Sequence, residues 1–200
     1  MMRYMMIYMA AGNSRRFGSN KLLYELGGKP LYRYGLETLI EFSRTRENVW
    51  LSVITQYEEI FHTTAQMAKG RRDISVFLNP DSRRGVSYTI RRGIEEAQRA
   101  GDFDYYLFVT ADQPWLGCKT LEKFLKAGEE GRFPVVSACW KENGRLGNPV
   151  MFHRELGDEL LKLQGDIGGR QVWKRHALEG GLVEVETERE LEDVDVLPLP

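Results

Sequence analysis

Apolar positions fall in two alternating rhythms along this chain. Residues 4–9 form a short, continuous apolar run that predicts a strand buried on both faces. Residues 31–43 place Leu31, Tyr34, Leu36, Leu39, Ile40 and Phe42 largely at helical spacing, directly after Pro30. Proline suits a helix start, because its missing N–H has no helical partner there. The same alternation continues. Strands are predicted at 49–54, 74–78, 105–109 and 134–140, and helices at 57–68, 87–100 and 120–127. Beyond residue 140 the rhythm loosens to a short strand at 150–152 and helices near 154–163 and 168–178. Strands alternating with helices indicate an α/β fold with a mainly parallel sheet. Ligands of such sheets bind beyond the carboxyl ends of the strands, so the segments after each strand matter most.

Composition narrows the partners. The chain has 200 residues, of which 42% are apolar, enough for a core without disulfides or a structural metal. The 28 Lys and Arg are balanced by 29 Asp and Glu, for a net charge of −1. That balance speaks against a general nucleic-acid or membrane-surface binder, while leaving room for a local anion site. Cys118 and Cys139 lack metal or disulfide spacing and read as small apolar residues. The apolar run from Met5 to Ala11 is too short to span a bilayer and has no signal-peptide layout. A soluble cytoplasmic protein of one domain, residues 1–200, is expected.

The loop after the first strand reads MAAGNSRRFGSNKLL, Met9 to Leu23. Small residues at Ala10, Ala11, Gly12 and Ser14 let the backbone approach a ligand, and oriented N–H groups form an anion-binding concavity. Arg15, Arg16 and Lys21 add the cations that match phosphate oxygens. A plain glycine-containing surface loop with solvated charges accounts for the same letters. After the third strand come Gly85, Ser87 and Thr89, which also read as helix caps. After the fourth comes TADQP, in which Asp112 is placed either for magnesium or for an Asx-turn before Pro114.

These motifs together carry a resemblance. AAGNSRRFGSNK, NPDSRRGVSYTI and TADQP resemble, in order, the motifs of MobA-like NTP transferases, and most of all the molybdenum cofactor cytidylyltransferases among them. GNPVMF and GDIGGR resemble that family's second-substrate motifs, although ordinary turn chemistry explains their glycines as well. The resemblance implies a Rossmann-like three-layer α/β/α fold with a mainly parallel mixed sheet, of the nucleotide-diphospho-sugar transferase type. It implies that Ala10, Ala11, Gly12, Asn13, Ser14, Lys21, Ser87, Thr89 and Asp112 bind the nucleotide, and that Arg16 and Lys21 are catalytic. Asn148, Pro149, Asp166, Gly168 and Arg170 are implied to bind the acceptor. Asp112 and Asp195 are implied to hold Mg2+, with Asp195 favoured over Asp193. Here the family's usual continuation after the Asp pair is replaced by Val196 to Pro200.

The implied reaction transfers CMP from CTP to the phosphate of a molybdopterin acceptor and releases pyrophosphate. Ala11 stands where related guanylyltransferases carry glycine, which favours CTP over GTP. A molybdenum hydroxylase is an implied partner. Three other readings stay open: a nucleotidyltransferase for a sugar or polyol phosphate, a glycosyltransferase using Asp193 and Asp195, and a non-catalytic cofactor carrier. His62, His153 and His176 show no metal spacing. The four Trp residues read as core or pocket wall. The acid-rich run from Glu184 to Asp195 reads as a solvated surface, apart from its Asp pair.

Overall fold

The computed structural model describes residues 1–13, 20–131 and 133–194. Strand β1 (Tyr4–Ala10) is the spine of a seven-stranded sheet. Its side chains alternate between two cores. Tyr4, Met6 and Tyr8 enter one cluster, and Met5 and Ile7 enter the other. This two-sided burial is what the unbroken apolar run encodes. The first cluster is completed by Leu36, Leu39 and Phe42 of α1 (Leu31–Arg44), Ile60 of α2 (Glu58–Met67), and Leu121 and Phe124 of α4 (Cys118–Glu129). The second takes Ile90 and Ile94 of α3 (Val86–Ala100), Leu160 of α5 (Gly157–Leu161) and Val172 of α6 (Arg170–Arg175). The result is helices on both faces of one sheet, as expected. Helix α3 lies so close to β1 that a Cβ on Gly93 would stand 2.6 Å from Ile7 Cγ2.

β1 pairs in parallel with β4 (Val49–Thr55) on one side and with β6 (Tyr105–Thr110) on the other. β4 pairs in parallel with β5 (Ile74–Leu78). Beyond β6 come β8 (Arg145–His153), antiparallel to it, then β7 (Val135–Trp140) and β9 (Gly181–Glu184). The chain leaves β1 toward β4 and returns on its other side as β6. The crevice between the carboxyl ends of β1 and β6 is therefore the topological switch point, where α/β sheets bind ligands. A two-residue pair, β2 (Glu25–Leu26) and β3 (Lys29–Pro30), forms a small hairpin apart from the sheet.

Three expectations need correction. The short strand at 150–152 is the end of a longer one, and GNPVMF lies inside it rather than in a turn. The β7–β8 register jumps from Ser137 opposite Val150 to Ala138 opposite Gly147. Asn148 and Pro149 are the extra residues of this irregularity, joined by a cis peptide bond. A proline cannot donate to the ladder, so a bulge is where a strand tolerates one. The helix at 154–163 resolves into a 3-10 turn at Arg154–Leu156 followed by α5, and the one at 168–178 shortens to α6.

The third correction concerns the acid-rich tail, which is not simply a solvated face. Val183 and Val185 turn inward, alternating with Glu184 and Glu186, and Leu191 and Val194 are buried. Glu190 is 4% exposed because its carboxylate accepts from the backbone N–H groups of Gly117 and Glu186.

Candidate active site

Two cavities, each of about 270 Å³, open at the switch point and share Met9 as a wall. The first is lined by Ala11, Gly12 and Asn13 after β1, by Thr110 and Asp112 at the end of β6, and by Lys21. Thr89 of α3 and Asp166 close it from the opposite side. Lys21 opens a 3-10 turn, Lys21–Leu23, whose start is capped by Asn20 Oδ1 accepting from the Leu22 N–H. This turn presents the ammonium to Asp112, with Lys21 Nζ 2.7 Å from Asp112 Oδ2. Both partners are largely withdrawn from water, with side chains 10% and 23% exposed.

The strand ends are locked in register. Met9 lies opposite Thr110, and the Ala111 N–H donates to the Met9 carbonyl. Tyr8, fully buried below, donates its hydroxyl to the Tyr32 carbonyl at 2.6 Å. Burial, and then the nearby Asp112 charge, push this phenol well above its ordinary range, so it stays a neutral donor.

The loop after β1 is held from outside by the segment after β4. Gln56 Nε2 donates to the Ala11 carbonyl at 2.7 Å and to Asn13 Oδ1 at 3.0 Å. The Tyr57 hydroxyl donates to the Gly12 carbonyl at 2.6 Å, and Asn13 Nδ2 donates to the Arg83 carbonyl. Neither Gln56 nor Tyr57 belongs to a sequence motif identified above. Their only signal was their place just beyond a strand's carboxyl end.

The far wall rests on Gly85, whose φ of +138° and close approach admit no side chain. A Cβ there would stand 2.3 Å from the Gly165 carbonyl. Gly165 in turn accepts from the Ser87 N–H, and so seats Asp166 over the cavity. Thr89 donates to Ser82 Oγ, which also receives Asn79 Nδ2.

The second cavity is lined by Asn148 at the bulge, Gly169, Arg170 and Trp173 at α6, Gln113 after β6, and Asp193. The tail is tied to the first cavity through its backbone, since the Val194 N–H donates to the Asp112 carbonyl.

The implied site residues therefore divide. Ala11, Gly12, Asn13, Lys21, Thr89 and Asp112 meet in the first cavity, while Asn148 and Arg170 meet in the second. Asp166, implied as an acceptor residue, lines the first cavity instead. Ala10 is fully buried at the end of β1, and Ser87 is fully buried beneath Gly165, so neither lines a cavity. Pro149 and Gly168 adjoin lining residues without lining either cavity themselves. Ser14, Arg16 and Asp195 lie outside the described residues, as does Arg15.

Among the described residues, no group of three or more His, Cys, Asp or Glu side chains is arranged to hold a metal ion. Magnesium takes one or two carboxylates and completes its shell with phosphate oxygens and water. Asp112, on the floor of the first cavity, supplies such a carboxylate.

Comparisons with known proteins agree with this architecture. The chain is 27% identical over 192 residues to the purine catabolism protein PucB of Bacillus subtilis, covering 94% of this chain and 90% of that protein. It is 27% identical over 158 residues to the 2-C-methyl-D-erythritol 4-phosphate cytidylyltransferase of Dictyoglomus thermophilum, covering 78% of this chain and 61% of that one. A nucleotidyl transferase from Methanothermobacter thermautotrophicus shares the fold with a TM-score of 0.72 at 19% identity, covering 97% of this chain and 92% of its own. Residues 6–180, from β1 to the residue before β9, match the MobA-like NTP transferase domain, and the chain belongs to that family.

Proposed function

We propose that this protein transfers CMP from CTP to the phosphate of a molybdopterin acceptor and releases pyrophosphate. The observation that carries this reading is the Lys21–Asp112 pair at the switch point, on the floor of one cavity that adjoins a second across Met9. Two substrates must meet for a transfer, and two adjoining cavities supply the places. CTP occupies the first, its triphosphate against Lys21 and the loop from Ala11 to Asn13. The acceptor occupies the second, its phosphate drawn by Arg170 toward the shared wall.

An oxygen of the acceptor phosphate attacks the α-phosphorus in line. The bond from that phosphorus to the bridging oxygen breaks, and pyrophosphate leaves with the electron pair. The nucleophile is already an anion, so no general base is needed. Catalysis is then positioning and charge stabilisation. Lys21 neutralises charge that builds on the leaving group, with Arg16 as its companion. Magnesium held by Asp112, with Asp195 or Asp193 as a second carboxylate, would supply further charge neutralisation on the triphosphate. CTP is preferred over GTP on the strength of Ala11 and of the cytidylyltransferase relative.

The reaction belongs in the cytoplasm. Among the described residues, no helix is long and apolar enough to cross a membrane.

A second reading is favoured by the PucB relative, whose name concerns purine breakdown rather than nucleotidyl transfer. On that reading the fold carries the cofactor to a purine-oxidising molybdenum hydroxylase without reacting. One assay separates the two: pyrophosphate release with CTP, GTP, ATP or UTP, magnesium and molybdopterin cofactor. Transfer predicts release with CTP only when cofactor is present. Cofactor binding without release from any nucleotide supports the carrier.

A further inference from the structure

Asp166 stands in GDIGGR, whose resemblance implies acceptor binding, yet it lines the first cavity while Arg170 of the same motif lines the second. Its backbone is fixed from both sides. Gly165 and Gly85 have φ of +58° and +138°, and a Cβ on Gly85 would stand 2.3 Å from the Gly165 carbonyl and 2.8 Å from the Asp166 nitrogen. The Gly165 carbonyl also accepts from the Ser87 N–H at 3.1 Å. Asp166 is thereby held at the start of α3, where Val86 and Thr89 line the same cavity, and it is exposed. The two ends of the cavity lie over opposite faces of the sheet. Leu22, beside Lys21, belongs to the first apolar cluster, whereas Val86 packs on the second.

A nucleoside triphosphate has an anionic end and a neutral one. With the triphosphate against Lys21 and Asp112, the nucleoside reaches the α3 wall. A carboxylate on that wall repels phosphate and offers two acceptor oxygens, so it calls for donors. The adjacent pair of donors on a nucleoside is the ribose diol. We infer that Asp166 holds the ribose, its carboxylate oxygens accepting from the 2′- and 3′-hydroxyls, and so selects ribonucleotides over deoxyribonucleotides. This inference rests on the first cavity being the nucleotide site and deepens that reading by naming what recognises the sugar. It is independent of the base and of the acceptor. Sites built to hydrogen-bond a substrate hydroxyl reject the analogue that lacks it.

The test is calorimetric titration of the full chain with the magnesium complexes of CTP, 2′-deoxy-CTP, 3′-deoxy-CTP, UTP and tripolyphosphate. The wild type binds CTP about tenfold or more tightly than either deoxy analogue, the effect of one hydrogen bond to a charged group. Asp166→Ala binds CTP and both analogues alike, and Asp166→Asn, which keeps one acceptor oxygen, falls between. Tripolyphosphate has no sugar and binds Asp166→Ala at least as tightly as wild type. The ratio of CTP to UTP affinity is the same in both proteins, because the base is not what Asp166 reads. The wild-type ratios alone keep the inference testable if a variant does not fold.

Equal wild-type affinity for CTP and its deoxy analogues overturns the inference, and so does a ribose preference that persists in Asp166→Ala. Weaker tripolyphosphate binding in Asp166→Ala overturns it too, since the carboxylate would then serve the phosphate end. A CTP-to-UTP ratio that changes with Asp166 overturns it in favour of the base amino group. The transfer reading fails separately. Ribose selection through Asp166, with no pyrophosphate released from any nucleotide when cofactor is present, removes the reaction and leaves the sugar site. Pyrophosphate released equally well from CTP and 2′-deoxy-CTP and 3′-deoxy-CTP leaves the reaction and removes the sugar site.

Discussion

Lys21 Nζ lies 2.7 Å from Asp112 Oδ2, so the turn that follows the β1 loop is joined to the end of β6 across the switch point. Each charge holds the other in place before a ligand arrives. On the proposed transfer, a magnesium-bound triphosphate would give each a new partner, phosphate to the ammonium and the divalent ion to the carboxylate. Asp112→Asn should abolish turnover and, because the largely buried Lys21 ammonium loses its carboxylate, lower the thermal unfolding midpoint while the protein stays folded. Lys21→Gln should raise the barrier by about 2.7–4 kcal/mol, a loss of roughly 10²–10³ in kcat. Steady-state pyrophosphate release alongside thermal melts checks both. Undiminished activity in Asp112→Asn would remove the metal role.

On the proposed transfer, Gln56 and Tyr57 would act on the nucleotide through the loop they hold. Tyr57→Phe deletes the hydroxyl that bonds the Gly12 carbonyl. The loss of one such bond, about 1 kcal/mol, should raise KM for CTP about fivefold with kcat little changed. Gln56→Leu releases two acceptors, Ala11 O and Asn13 Oδ1, and should raise KM further. A fall in kcat with KM unchanged would contradict a positioning role.

Gly85→Ala places a methyl 2.3 Å from the Gly165 carbonyl at a φ of +138°. Both the strain and the overlap are destabilising, together by about 3 kcal/mol or more. The neighbouring Asp166 should be displaced as well, so the variant should lose nucleotide affinity in addition to stability. Urea unfolding midpoints and CTP titration measure the two effects.

Acid should unfold the protein partly through Asp73. The Arg71 guanidinium, forked onto both carboxylate oxygens at 2.9 and 2.6 Å, holds this carboxyl below its ordinary range, against the opposing effect of burial. Glu159 is also held low. Burial pushes it up, but His176 and Arg175 together outweigh that. A folded-state value below the unfolded one gives stabilisation that is complete above the unfolded value, about 4, and lost as pH falls through the folded one. The side chains of Arg71 and Asp73 are about a quarter exposed, so screening keeps the contribution below about 1 kcal/mol. Thermal melts of wild type and Asp73→Asn should differ at pH 7 and converge near pH 2.

Much of the architecture was legible in the chain because β1, β4 and β6 are buried on both faces and therefore read as largely apolar runs. The positions of Lys21 and Asp112 followed from motifs after strands, since the switch point gathers such segments. What escaped was long-range. Acidic letters between Val183, Val185 and Leu191 conceal an inward-facing tail, and Glu190 is buried only because two distant backbone N–H groups bond it. GDIGGR reads as one motif, yet Asp166 and Arg170 line different cavities, because Gly165 packs on Gly85 before α6 begins.

The central claim is nucleotidyl transfer across the wall between the two cavities. Phosphorus NMR of the protein with CTP, magnesium and molybdopterin cofactor tests it most directly. The account predicts that the CTP resonances decline while pyrophosphate and a new diphosphate linkage grow together, with no change when cofactor is omitted or Asp112 is replaced by Asn. Resonances of all four nucleoside triphosphates that stay constant in the presence of cofactor would contradict it.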